Sequence, residues 1–248
     1  MEVHHHPHAV KGFKGYFLEF IMIFLAVTMG FFAESYREHS NDRGKEKKYM
    51  QSMVADLETD TQNIKMAIHD NLGQIKGMDT LAELLNNNEF TDAEQDHLYN
   101  LNERCALSLT VVPLNDMTMR QLLSSGNMRL IREQKVADLI MGYYGSGKDG
   151  YDGQMNMFGE NMQKIFFSSE DIFSFRYPGL KLNKDTTFSL DLNITNFKLL
   201  TRDKTILAKY SNQVLAARAL SATYINVLHD MRKRADDLLI FLEKEYRL

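Results

Sequence analysis

The stretch KGYFLEFIMIFLAVTMGFFAESYREH, residues 14–39, limits what this chain can fold into more than any other part of it. Residues 20–33 carry no charge, and only Glu19 interrupts the apolar run back to Tyr16. A membrane-crossing helix needs about 20 mostly apolar residues. Lys14, Tyr16, Tyr36 and Arg37 complete that length as residues suited to the two interfaces. The core helix of a soluble domain would present a polar face, and between residues 21 and 32 only Thr28 and Gly30 depart from apolar character. A secretory signal would end in a small-x-small cleavage site, and Phe31, Phe32, Ala33, Glu34, Ser35 and Tyr36 make a poor one. The expectation is an uncleaved single-pass transmembrane helix over residues 14–36. A tail, 1–13, precedes it, and an extramembrane domain, 37–248, follows.

Three residues of the span stand out. Glu19 is an ionisable group at the edge of the apolar layer, costly there and therefore a possible functional membrane residue. The plainer reading places it at headgroup depth, one turn from Lys14 and Tyr16. Ala26 and Gly30 form a small-xxx-small pair that permits close helix approach, which makes them possible oligomer contacts. In the tail, His4, His5, His6 and His8 could bind a transition metal as neutral imidazoles, but nothing beside them would orient the rings, so no metal site is assigned. Lys11 and Lys14 precede the span, whereas Arg37, Arg43, Lys45, Lys47 and Lys48 follow it. That count alone would put the C-terminal side in the cytoplasm, yet long domains cross membranes largely regardless of charge.

The remaining sequence is patterned for helices. Met50, Met53, Leu57, Ile64, Ile68, Leu72, Ile75, Met78, Leu81 and Leu85 form the stripe of a long amphipathic helix over residues 44–88. Gly73 and Gly77 are candidate interruptions, and Asn86, Asn87 and Asn88 mark its end. Thr91 to Glu94 reads as a capping box that opens a helix reaching about residue 106. The C-terminal stretch is the most regular. Leu207, Val214, Ser221, Leu228, Ala235 and Leu242 recur every seven residues, with Tyr210, Ala217, Tyr224, Met231 and Leu238 three further on. This is an a/d seam, with Asp203 as its N-cap, and a helix over 204–246 would be about 65 Å long. Such a stripe must be covered, and the 44–88 helix is its expected partner. Shorter helices are expected at 117–123, 134–144 and 151–167, with Gly126 and Asn127 as a left-handed C-cap. Residues 172–202 lack a helical stripe and read as one irregular connection holding a turn at Tyr177, Pro178 and Gly179 and a small hairpin. The fold expected is all-α: a transmembrane helix, then an elongated bundle with long antiparallel amphipathic helices.

Chemical motifs are sparse. Residues 142–149, GYYGSGKD, nearly spell a phosphate loop, but Asp149 stands where magnesium binding needs Ser or Thr, and the stretch follows a helical stripe instead of a strand. Gly145, Ser146 and Gly147 read as the break that ends a helix. The chain contains neither H-E-x-x-H nor G-x-S-x-G. The net charge of -4 gives no footprint for nucleic acid. The one cysteine, Cys105, excludes an internal disulfide framework and reads as a small buried apolar residue. The chain is expected to be no enzyme and to need no cofactor.

Residues 19–34, EFIMIFLAVTMGFFAE, followed by a charged helix with Asp56, Leu57, Glu58, Thr59 and Asp60, resemble an uncharacterised family of single-pass envelope membrane proteins common in Bacteroidota. Residues 119–131, MRQLLSSGNMRLI, match that family's SGNLxLI block, and Tyr143 and Tyr144 match its YY pair. The resemblance covers roughly residues 11–145. It implies an inner-membrane protein of unknown activity with its bulk domain in the periplasm, and no catalytic residues. Histidines replace most of the basic residues that relatives carry before the span. The expected partners are the lipid bilayer, a second copy of the chain, and an envelope protein. The expected role is oligomerisation or partner binding. Two alternatives are an oligomeric channel or ion-coupled component using Glu19, and a periplasmic small-ligand sensor with a dry pocket lined by Met155, Met157, Phe158 and Phe166.

Overall fold

The computed structural model describes residues 12–87, 89–174, 180–190 and 195–248. The described residues are all-α apart from one short hairpin, and the chain divides into two compact units, Met1–Tyr49 and Met50–Leu248. The division falls inside a single helix, α1 (Phe13–Leu85), of 73 residues. The apolar run and the amphipathic stripe, expected as separate helices, are therefore one element. Neither Gly44, Gly73 nor Gly77 breaks it. A glycine inside a helix costs about 1 kcal/mol, less than giving up the hydrogen-bond ladder on both sides of it. The tail histidines His4, His5, His6 and His8 lie outside the described residues.

In the first unit the apolar side chains from Tyr16 to Phe32 are overwhelmingly exposed, and none of the most apolar stretch of α1 is buried. One helix among the described residues is thus long and apolar enough to cross a membrane.

The second unit is built on two helices. The α1 residues Met50, Met53, Leu57, Ile64, Ala67, Met78, Leu81 and Leu85 are buried, and so is every seam residue of the C-terminal helix, from Leu207 through Ser221 and Leu228 to Leu242. That last helix, which we label α6 (Lys204–Tyr246), starts at the expected cap: the Asp203 carboxylate accepts from the Thr205 and Ile206 amides. The two run antiparallel, as their cross-links show. The Ser211 hydroxyl donates to the Ala82 carbonyl, and Arg218 pairs with Asp79 further along. Nearer the start of the unit, Tyr143 reaches Asp60 while its neighbour Gly142 meets Arg234.

Between them come α2 (Asp92–Leu101), α3 (Met117–Ser124), α4 (Gln134–Met141) and α5 (Lys148–Ser169). The capping box at α2 is present, with the Thr91 hydroxyl accepting from the Glu94 amide and the Glu94 carboxylate accepting from the Thr91 amide. After α3, Gly126 takes φ 67°, the left-handed conformation that glycine permits. α4 and α5 are not two helices with a break. The GYYGSG stretch is a π-helical turn, Gly142–Gly147, that carries the rod on from one to the other, so its glycines do not end a helix. α5 then packs along α6, where the Gln154 amide donates to the Leu220 carbonyl.

The irregular connection holds the antiparallel hairpin β1 (Leu180–Leu182) and β2 (Phe188–Leu190). The turn expected at Tyr177, Pro178 and Gly179 lies outside the described residues. The return leg is fastened to α2, where Asp96 accepts from the Asn196 and Phe197 amides and Gln95 from the Leu199 amide. Phe197 thereby enters a core of aromatic rings with Tyr99, Phe173 and, through Phe173, Tyr210.

Candidate functional site

The α1 seam has a seven-residue period of its own. Met50, Leu57 and Ile64 continue to Asn71, Met78 and Leu85, while Met53 continues to Asp60, Ala67, Gln74 and Leu81. Three positions that the packing would fill with apolar groups are thus Asp60, Asn71 and Gln74. Asp60 and Asn71 are wholly buried. Leu72, expected in the stripe, is 45% exposed because Asn71 takes the inward place.

Buried polar groups need partners, and these come from the segment 107–116, which links α2 to α3. Asn71 Nδ2 donates to the Ala67 and Thr110 carbonyls, and Gln74 Nε2 to the Ser108 and Thr110 hydroxyls. Tyr151 of α5 meets both backbone groups of Val112, accepting from its N–H at 3.2 Å and donating to its carbonyl at 3.0 Å. Asp60 accepts from the Asn115 amide at 2.9 Å, from Asn115 Nδ2 at 3.1 Å and from the Tyr143 hydroxyl at 2.7 Å. One turn earlier, Asp56 accepts from the Thr118 amide and hydroxyl. Thr118 lies in the first turn of α3, so α1 caps α3 from outside, where a carboxylate also complements the helix dipole.

Tyr143 and Tyr144 both belong to the π-turn. Arg234 of α6 fixes that turn: its Nη1 donates to the Gly142 carbonyl at 3.1 Å and to Ser146 Oγ at 3.3 Å, while its Nε is held by Asp230. Gly147 suits its place, since a Cβ there would lie 2.9 Å from Met231 Sδ and 3.0 Å from the Gly142 carbonyl oxygen. Burial lifts the Asp60 carboxyl above its ordinary value, against the pull of the Asn115 and Tyr143 donors. Burial, and then the Asp60 charge, push both tyrosines far above the usual phenol range, so each keeps its proton, and Tyr143 uses its own as a donor to Asp60. Chemically the site is an acceptor carboxylate enclosed by donors, placed where α1, α3, the π-turn and α6 converge.

Residues 56–60 and the Tyr143–Tyr144 pair meet here, and the stretch MRQLLSSGNMRLI begins at Met119, directly after Thr118. The apolar stripe of α1 does not single these residues out; the seven-residue period that runs through Asp60, Asn71 and Gln74 is the signal that finds them.

The other expected site residues lie elsewhere. Glu19, Ala26 and Gly30 sit on α1 in the first unit. At 100° per residue they fall within an arc of about 40° on one face. A Cβ at Gly30 would meet nothing within 4 Å. The residues of the expected ligand pocket do not share one environment: Phe158 is buried, whereas Met157 and Phe166 are exposed. Cys105 is buried against Gly77, and burial raises its thiol pKa. An open groove of about 530 Å³ runs along Gln62, Lys65, Met66, His69 and Asp70 on the outer side of α1. Among the described residues no group of three or more His, Cys, Asp and Glu is arranged to hold a metal ion. No family model matches this chain, and no curated protein or solved structure matches it either.

Proposed function

We propose that this is a non-enzymatic, single-pass protein of the cell envelope, held in the inner membrane by residues 14–36, whose periplasmic helical domain binds an envelope partner or a second copy of itself. One observation carries the reading: α1 exposes an unbroken apolar run in its first part and, without interruption, supplies a buried seam in its second. The Asn71 and Gln74 amide donors and the Asp60 acceptor oxygens of that seam are taken up by hydrogen bonds within the chain, which is the pattern of a scaffold. The periplasmic side is supported by the family resemblance, against the raw lysine and arginine count.

A reporter active only in the periplasm, fused after Leu248, tests the reading. Activity of that fusion is expected. Activity only of a cytoplasm-requiring reporter overturns the orientation, and release of the protein by an alkaline wash overturns the membrane reading itself.

A second reading is favoured by the shared arc of Glu19, Ala26 and Gly30. Spans that associated through that face would bring several carboxylates around one axis, as an ion-coupled component requires. A single chain per particle in mild detergent removes it.

A further inference from the structure

Residues 134–169 form one helical rod with a wide turn, Gly142–Gly147, inside it. A π-turn holds one residue more than the α-helical turn it replaces, and such turns concentrate where helices do something besides pack. Every residue beyond the wide turn stands one position behind the register an uninterrupted helix would give it. Were the wide turn one helical turn nearer the N-terminus, the residues in between would fall back by one position. Tyr144 would then stand where Tyr143 stands now.

The sequence is suited to that exchange. Tyr143 and Tyr144 are the same side chain in succession, so the group facing Asp60 would be a phenol in either register. Tyr143 donates to Asp60 Oδ2 at 2.7 Å. The Tyr144 hydroxyl is enclosed and has no hydrogen-bond partner among the described residues. Its ring lies perpendicular to that of Tyr143, with centroids 4.8 Å apart, and the Asp60 charge acts on it as well. An enclosed hydroxyl without an acceptor costs free energy that phenylalanine would not. A role in a second register accounts for it. Both hydrogen bonds from Arg234 Nη1 go to the wide turn, to Gly142 near its start and to Ser146 near its end, so they hold the present register only.

We propose that Tyr143 and Tyr144 are alternative partners of Asp60, exchanged by a one-residue migration of the π-turn, with Arg234 of α6 latching the register seen here. The exchange links the α6 latch to the α1 carboxylate through the α4–α5 rod. It is a conformational device that goes beyond the function proposed above and does not rest on it.

The test is a double-mutant cycle on the full chain in detergent, read as the unfolding equilibrium constant in denaturant. Tyr143→Phe and Tyr144→Phe are each expected to change that constant by less than about threefold, because either phenol can serve Asp60. The double variant is expected to raise it at least about tenfold beyond the product of the two. A double variant that no longer folds while both singles do counts as the same result. Additive effects, or a Tyr143→Phe protein that fails to fold with Tyr144 intact, overturn the exchange. As a separate readout, Arg234→Gln is expected to speed hydrogen exchange of the amides of residues 143–148 about tenfold and leave those of α2 unchanged. Unaltered exchange there overturns the latch.

Discussion

Asp60 sits where a leucine would be expected, and its surroundings set its titration. Burial lifts its carboxyl above the ordinary value of 3.8, while the Asn115 and Tyr143 donors oppose the lift and the nearby Asp56 charge adds to it. The fold therefore favours the neutral form. The stability this carboxyl contributes is complete below the ordinary value and is lost as pH rises through the raised one. Asp60→Asn removes the titration and keeps an oxygen for the two Asn115 donors. The variant is expected to gain on the parent between about pH 4 and about pH 7, as measured by denaturant midpoints at both ends. An unchanged difference between the two proteins at both ends would show that the carboxyl is not lifted. Gly77 is the second residue whose neighbours fix its identity. A Cβ there would overlap Cys105 Sγ and lie 3.0 Å from Cys105 Cβ. Gly77→Ala is expected to cost about 1–3 kcal/mol through overpacking, with Cys105→Ala recovering part of it. Equal melting temperatures for parent and Gly77→Ala would mean that the helices separate freely at this point.

The helices differ in how far the sequence revealed them. α6 is readable from end to end, because Asp203 marks its start and its seam is apolar or small at every inward position except the tyrosines, whose rings pack as apolar groups. The second half of α1 was readable as a helix but not as a seam, since Asp60, Asn71 and Gln74 hide the period from any count of apolar residues. Their partners Ser108, Thr110 and Asn115 come from a segment with no pattern of its own. The π-turn departs from its sequence reading for a related reason: GYYGSG has the composition of a break, and packing against Met231 and Arg234 makes those glycines part of a continuous rod. Leu228 offers the sharpest contrast within one element. It is wholly buried in the seam, whereas Ile240 on the same helix is 67% exposed. Leu228→Asp buries a charge without a partner and is expected to cost at least about 3 kcal/mol. Ile240→Asp should stay within about 0.5 kcal/mol. Similar losses at the two positions would mean that α6 is not packed as described.

The proposed association of whole chains turns on the face that Glu19, Ala26 and Gly30 share. Within one chain, Gly30 has nothing to avoid: a Cβ there meets no atom within 4 Å. A helical glycine is also less favourable than a residue with a side chain, by about 1 kcal/mol against alanine. Gly30→Leu is therefore expected to leave the fold of a single chain intact or to firm the helix slightly. Any loss it causes has to come from another molecule, where the added bulk would keep two backbones from approaching. Phe24→Leu supplies the control, because residue 24 lies about 140° round the helix from Glu19 and changes bulk on a different face. Mass measurement in mild detergent is expected to find more than one chain per particle for the parent and for Phe24→Leu, and fewer for Gly30→Leu, with the helical signal of all three alike. An equal loss from both substitutions would mean that the spans associate through general apolar bulk, with no particular face. One chain per particle for the parent would end the self-association proposal before either variant is made. The partner of the helical domain would then have to be a different envelope protein.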